Sequence, residues 1–161
     1  MLLATPIALL AVYVLWNDAI STSNSAIKAP PLYKSVQRCA EHGNPIFYAD
    51  SARSRAQIKM ARYAFYPADG PRALVLLSEA ERCFSAAGKA GEANAVAAVR
   101  ETFEYRVTAD YRGHRLRLSQ ALTRERHQDA VREAQALTRL LEDQRKHSYV
   151  RWLNRIVRSE S

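Results

Sequence analysis

Glycine, proline and cysteine are scarce in this sequence, which has 5, 6 and 2 of them among 161 residues. Because no low-complexity tract runs through the body of the chain, we expect it to fold, with one short linker as the exception. No nucleotide-binding glycine motif, H-E-x-x-H, G-x-S-x-G or C-x-x-C pattern occurs, so nucleotide and zinc-protease chemistry have no support. No stretch alternates apolar and polar residues as a strand does. We therefore predict one all-α domain that is not an enzyme and has no cofactor.

Charged side chains are also missing from the first sixteen residues, MLLATPIALLAVYVLW. As a helix at about 1.5 Å per residue, this run covers ~24 Å, slightly less than a ~30 Å hydrocarbon core. We predict a retained single-span anchor over residues 1–20 rather than a buried core helix or a cleaved signal peptide, which would need a basic n-region. The residues expected to contact the membrane are Leu9, Leu10, Tyr13 and Trp16, the last two as interfacial aromatics.

Residues 21–31, STSNSAIKAPP, predict an extended linker between this anchor and a helical domain over residues 32–161. Lys28 and Lys34 follow the anchor, which by the positive-inside rule favours a cytoplasmic body. Bacterial anchors of this type nevertheless commonly export the domain behind them, largely regardless of its charge. We expect a single-pass membrane protein whose body lies on the periplasmic side of a bacterial inner membrane.

Apolar residues recur every three or four positions through most of the body. This pattern predicts about six antiparallel helices joined by short turns, as a bundle or a helical-hairpin stack. The first is a short helix from Leu32 that ends at Gly43, and the pair Asn44-Pro45 after it is expected to interrupt helical structure. The other helices are expected at about residues 50–66, 71–88, 92–126, 128–143 and 148–158.

Part of the third predicted helix resembles a tetratricopeptide repeat. Ala80, Phe84 and Ala87 match the A-x3-F-x2-A core of the second helix of such a repeat, and YPADGPRAL around Pro67 looks like a junction between successive repeats. The resemblance covers about residues 48–100, and no period of about 34 residues runs through the body. It implies a protein-binding scaffold, similar in layout to membrane-anchored proteins of that family that chaperone or assemble envelope complexes.

The two cysteines, Cys39 and Cys83, are expected on the inward faces of different helices. They can form one intramolecular disulfide if the body is exported, or remain buried thiols that act as small apolar residues. Cys39 and His42 stand three positions apart and would supply half of a metal site. Because nothing in the sequence brings further ligands to them, no metal is predicted.

Positive charge is concentrated in the helical body. The formal net charge is +8, and residues 1–50 add nothing to it because their acidic and basic residues cancel. An anionic partner is indicated, either an acidic protein face or lipid headgroups; nucleic acid is not expected, because no recognition motif accompanies the charge. The alternative is an ordinary solvated helix surface. The predicted interaction surface consists of Arg112, Arg115, Arg117, Arg145, Lys146, Arg151, Trp152, Arg155 and Arg158.

These patterns together predict a non-catalytic accessory or scaffold subunit of a larger membrane protein complex, such as an energy-transducing, secretory or envelope-assembly machine. Its body and its single span would dock on other subunits and on membrane lipid. The alternative is a free-standing scaffold or chaperone, similar to tetratricopeptide-repeat proteins, that captures peptides in a helical groove.

Overall fold

The computed structural model of the chain describes residues 27–36, 38–39 and 43–159. Five α-helices follow one another: α1 (Pro45–Arg62), α2 (Asp69–Ala86), α3 (Ala90–Thr123), α4 (His127–Leu140) and α5 (Ser148–Arg158), with a short 3-10 turn at Glu142–Gln144. No strand occurs in these described ranges. The prediction of an all-α fold is therefore confirmed for this part of the chain, which contains five helices where the sequence predicts about six.

Two units divide the chain, Met1–Pro30 and Pro31–Ser161, and all five helices belong to the second. The predicted anchor, with Leu9, Leu10, Tyr13 and Trp16, lies outside the described residues, as does most of the predicted linker. Of the helices that the structure does describe, none is both long and apolar enough to cross a bilayer.

Each helix packs against the next helix in the chain, from α1 on α2 through to α4 on α5. Because the connections between them are short, neighbouring helices run antiparallel and form a series of hairpins. The side chains of α1 that are buried are all alanines, so this helix can approach α2 closely. The largest fully buried apolar side chains are Leu74, Leu77, Val107, Leu118, Leu137, Leu141, Val150 and Leu153.

The prediction of a helix from Leu32 to Gly43 is wrong. Its described residues lie in no helix. They form a segment called the strap here, residues 31–36 and 38–39, whose beginning is held by the 3-10 turn. The side-chain Nε2 of Gln144 donates hydrogen bonds to the carbonyl oxygens of Pro31 at 2.7 Å and Leu32 at 3.2 Å. These contacts join residues far apart in sequence, which explains why local apolar spacing misled the prediction.

The far end of the strap is held by α2. The backbone N–H of Val36 donates to the hydroxyl oxygen of Ser78 at 3.0 Å, and that hydroxyl donates to the carbonyl oxygen of Val36 at 3.3 Å. Beyond them, Cys39 and Cys83 form a disulfide. Cys83 lies on the buried face of α2, whereas Cys39 is on the strap and not on a helix as expected.

Helix α1 begins earlier than its sequence suggests. Asn44 is its N-cap, and the Oδ1 atom of Asn44 accepts a hydrogen bond from the N–H of Ile46 at 2.9 Å. Pro45 occupies the first helical position, where a missing N–H breaks no helical hydrogen bond. Asn44 and Pro45, which were expected to interrupt helical structure, therefore begin a helix.

Tyr63 connects the turn between α1 and α2 to the long helix α3. Its ring meets Phe103 edge to face at 5.5 Å between centroids, and its hydroxyl donates to Oδ2 of Asp110 at 2.7 Å. The start of α2 passes directly beneath this ring at Gly70. A Cβ atom at Gly70 would lie 2.5 Å from Cε2 of Tyr63, so only glycine fits this contact without displacing the ring.

Candidate functional site

The only buried carboxylate of the described ranges has a structural role. Asp69 is 1% exposed at the start of α2, and its oxygens contact Nζ of Lys59 at 2.9 Å and Nη2 of Arg62 at 2.7 Å. Burial alone would raise the pKa of Asp69, but the hydrogen bonds from Lys59 and Arg62 outweigh it and hold the pKa below its usual range. This carboxylate stays ionised and links α1 to α2.

No group of three or more His, Cys, Asp or Glu side chains in the described part of the chain is arranged to hold a metal ion. Cys39, half of the pair considered for metal binding, is bonded to Cys83. The other half, His42, lies outside the described residues.

The structure distributes the nine residues of the predicted interaction surface over three places. Arg112 and Arg115 border a groove on α3. Arg117 lies on another side of the same helix. The rest follow η1 (Glu142–Gln144) or lie on α5: Arg145, Lys146, Arg151, Trp152, Arg155 and Arg158.

Arg117 belongs to the packing of α3 on α4. Its Nε contacts Oε1 of Glu133 at 3.0 Å, while Nδ1 of His114 lies 2.7 Å from Oε2 of the same carboxylate. Burial would raise the pKa of Glu133, but hydrogen bonds from His114 and Arg117 more than offset it and lower that pKa. Because Arg117 is two residues beyond Arg115, it points about 200° further round the helix, away from the other two arginines.

The basic residues near the C-terminus are exposed and engaged mainly with their own segment. Nη2 of Arg145 contacts Oε1 of Glu142 at 2.6 Å. On α5, Arg151, Arg155 and Arg158 are exposed and share one face through their spacing of four and three residues. Trp152 is half-buried, with its ring 5.4 Å from that of Tyr149.

An open groove of about 440 Å³ lies between the strap and α3, and is called the strap groove here. Its α3 residues are spaced three or four positions apart, or adjacent, so they fall on one flank of the helix. It is lined by Pro31, Leu32, Tyr33 and Ser35 of the strap and by Glu104, Thr108, Tyr111, Arg112 and Arg115 of α3.

The charges in the strap groove are unevenly balanced. Oε2 of Glu104, the only acid among the described residues that line it, accepts a hydrogen bond from Nη1 of Arg100 at 2.9 Å, and Nε of Arg100 also contacts Glu81 at 2.9 Å. In contrast, Arg112 and Arg115 form no ion pair within the described ranges. The groove therefore carries unneutralised positive charge at the end where these two arginines lie.

Aromatic hydroxyls complete the groove. Burial, followed by the interaction with Tyr149, raises the pKa of Tyr111 to about 12. Burial and then a hydrogen bond with Glu104 raise the pKa of Tyr33. The guanidinium of Arg115 lies 5.5 Å from the centroid of the Tyr111 ring. At neutral pH the groove thus combines protonated tyrosines with two cationic arginines.

Arg112 and Arg115 belong to the predicted interaction surface, but the other residues that line the groove do not. Tyr33 falls within the short helix predicted from Leu32, and no local pattern indicates that it meets Glu104 of α3. The two prolines that precede Leu32 give no signal against that helix, because proline restricts the residue before it and is tolerated at the first helical position.

The outer face of α3, opposite its buried stripe, is also exposed. Residues 98, 102, 105, 109, 112 and 116 lie along it at helical spacing, and all six are exposed. Tyr105 is 80% exposed and Leu116 is 59% exposed. Arg112 belongs to this row and also borders the strap groove, so the two surfaces are continuous.

Comparison with known proteins identifies no relative of the chain. No protein-family model matches it, and neither does any curated protein sequence or solved structure.

Proposed function

We propose that the chain is a non-catalytic accessory or scaffold subunit of a larger membrane protein complex and docks on other subunits through its helical body. The observation that carries this proposal is the outer face of α3, where Tyr105 and Leu116 are 80% and 59% exposed beside Arg112. Tyrosine and arginine are enriched in protein interfaces, and exposed apolar side chains grouped on one helix face mark such surfaces.

The N-terminal segment supplies the membrane attachment in this proposal. Residues 1–20 would form the single span, and residues 21–31 the linker before the helical body. The disulfide between Cys39 and Cys83 supports a body on the exported side, because disulfides persist in oxidising compartments such as the periplasm. The basic body would then meet an acidic face of a neighbouring subunit.

Membrane attachment is tested by adding charge to the full-length chain. Leu9→Arg/Leu10→Arg places two arginines in the proposed span, at a cost of about 3 kcal/mol each near a bilayer centre. Ser21→Arg/Ser23→Arg adds the same charge in the proposed linker and is the control. We expect only the first variant to leave the membrane fraction. Equal retention of both variants would contradict a span over residues 1–20.

Docking is tested with two matched pairs of exposed side chains. Tyr105→Ala/Leu116→Ala removes one aromatic and one aliphatic side chain from the outer face of α3. Phe47→Ala/Ile58→Ala removes a similar pair from α1, where Phe47 is 68% and Ile58 60% exposed. After gentle detergent extraction, we expect the α3 variant to lose its copurifying subunits and the α1 variant to keep them. Loss of the same subunits from both variants would contradict docking through α3.

The second candidate is a free-standing peptide-binding scaffold, similar to tetratricopeptide-repeat proteins. The strap groove of about 440 Å³ favours it, because its size suits a short segment of a bound chain. Stoichiometry separates the two candidates. A subunit is recovered in a fixed ratio to its partners, whereas a free-standing scaffold is recovered mostly alone.

A further inference from the structure

Arg112 and Arg115 bring two positive charges within one turn of α3. Like charges at this spacing repel one another, and neither arginine has an acidic partner within the described ranges. Arg115 is positioned by the Tyr111 ring, whose centroid lies 5.5 Å from its guanidinium. A guanidinium has five N–H donors, so donors of both arginines stay available. An anion between them would relieve the repulsion and accept several charge-assisted hydrogen bonds.

The groove beside these arginines suits a narrow ligand with apolar and acidic parts. Its volume of about 440 Å³ is within the range of about 300–1,000 Å³ that is typical of ligand sites. Leu32 and the ring of Tyr111 provide apolar contact, and Thr108 provides a hydroxyl. The groove continues into the exposed outer face of α3, which can contact a chain that leaves the groove.

The opposite end of the same flank is acidic, which limits what can bind. Glu104 lines the groove, and Glu101, one turn earlier on α3, is 73% exposed. Arg100 contacts both of them and Glu81, so one positive charge faces three carboxylates there. A flat anionic bilayer resting on this flank would meet both carboxylates as well as the arginines. A narrow segment can place its acidic end at Arg112 and Arg115 and keep that end away from Glu101. The charge pattern therefore favours a peptide over a lipid surface.

We propose that the strap groove binds an acidic peptide segment of a partner protein, with a carboxylate held between Arg112 and Arg115 and an apolar side chain against Leu32 and Tyr111. This proposal rests on the proposed function as a protein-binding subunit. It adds the chemical character of the partner segment that the subunit binds.

The test measures the binding of a defined probe to the full-length chain in a non-ionic detergent. The probe is a fluorescein-labelled peptide with one leucine and one tryptophan among four glutamates, and its binding is followed by fluorescence anisotropy. Arg112→Gln/Arg115→Gln should weaken binding at least about tenfold, the loss expected when hydrogen bonds to a charged group are removed. The same peptide with glutamines in place of glutamates should bind the wild type at least about tenfold more weakly.

Arg55→Gln/Arg82→Gln is the matched control, because Arg55 and Arg82 are exposed, form no ion pair among the described residues and do not line the groove. It removes the same charge, and we expect it to change peptide binding less than about twofold. Circular dichroism checks that both double variants keep the helical content of the wild type.

Equal weakening by the two double variants would overturn the proposal, because it would mean that only long-range charge attracts the peptide. The proposal would also be overturned if the wild type bound phosphatidylcholine vesicles containing phosphatidylglycerol through Arg112 and Arg115 but did not bind the peptide. In either case, subunits that still copurify in a Tyr105-dependent and Leu116-dependent manner would leave the proposed function standing and refute only the assignment of the groove.

Discussion

Loss of the disulfide between Cys39 and Cys83 is expected to be among the largest perturbations of this fold. The two cysteines are separated by 44 residues in sequence. In the chain-entropy description, closing a loop of this length lowers the entropy of the unfolded chain by about 13 cal/mol/K, equivalent to about 4 kcal/mol near room temperature. The free energy of unfolding is therefore expected to fall by up to about 4 kcal/mol when the bond is removed.

The effect should begin in the strap. Apart from the disulfide, its far end is held by the hydrogen bonds between Val36 and Ser78. Such bonds contribute only about 1 kcal/mol each, which is too little to order the strap without the disulfide. We therefore expect the amide of Val36 to exchange with solvent faster in Cys39→Ala/Cys83→Ala, while amides in the middle of α2 stay protected until global unfolding.

Urea unfolding followed by far-ultraviolet circular dichroism measures the global effect, with the full-length chain in a non-ionic detergent. Wild-type protein should lose stability on addition of a reductant, whereas Cys39→Ala/Cys83→Ala should be insensitive to it. Reduced wild type retains both sulfur atoms and so separates the crosslink from packing of Cys83. Unchanged unfolding and unchanged exchange at Val36, in both the reduced protein and the variant, would refute the conclusion that the disulfide holds the strap.

Two further perturbations probe the packing of α1 on α2. Asp69→Asn should lower the free energy of unfolding by about 2 kcal/mol at neutral pH, because it leaves Lys59 and Arg62 without a counter-charge, although their partial exposure reduces the loss. Because the pKa of Asp69 is lowered in the folded state, the stability that its carboxylate contributes is present above the unfolded pKa of about 4 and is lost as the pH falls through the lower folded pKa. Urea unfolding as a function of pH measures this contribution to the free energy of unfolding. A contribution that grows in acid would contradict the prediction. Gly70→Ala should destabilise the chain by about 1–3 kcal/mol because its Cβ would lie 2.5 Å from the Tyr63 ring. Gly91→Ala is the control, because its Cβ would meet nothing within 4 Å, and it should stabilise the chain by up to about 1 kcal/mol. Equal thermal midpoints for Gly70→Ala and Gly91→Ala would contradict the close contact between Gly70 and Tyr63.

Most helices of this chain could be predicted from sequence because each is indicated by the spacing of apolar residues within its own segment. The apolar spacing of the third predicted helix places Ala73, Leu76, Leu77, Ala80, Phe84 and Ala87 on its inward face, and α2 buries the first five, while Ala87 at its C-cap is half-buried. Helix α5 has the predicted bounds, and α3 runs through Gly113 without a break. A spacing of three or four residues fixes which side of each helix is buried, regardless of what covers it.

The strap could not be predicted because its conformation depends on contacts with residues far along the chain. Leu32 and Val36 have helical spacing, yet the strap is held by Gln144 from one end and by Ser78 and Cys83 towards the other. Local apolar spacing does not encode such partners. Because this spacing predicts a helix for the strap, nothing in the sequence indicates a groove beside α3.

The arginines illustrate both cases. Their identity as a basic cluster was visible in the sequence, and the helical period alone separates Arg117 from Arg112 and Arg115. The pairing of Arg117 with Glu133 and of Glu104 with Arg100 decides which charges remain unneutralised. The pair between Arg117 of α3 and Glu133 of α4 depends on tertiary structure, so it could not be derived from charge counts.

Whether the chain is a subunit is tested most directly by the mass of the particle in which it is extracted. The full-length chain, expressed at its native level, is extracted with a gentle detergent and its particles are weighed by native mass spectrometry. We expect a fixed assembly much heavier than the 18.2 kDa chain, which persists in Phe47→Ala/Ile58→Ala and is lost in Tyr105→Ala/Leu116→Ala. Recovery of the chain alone at every salt concentration would contradict the proposed function.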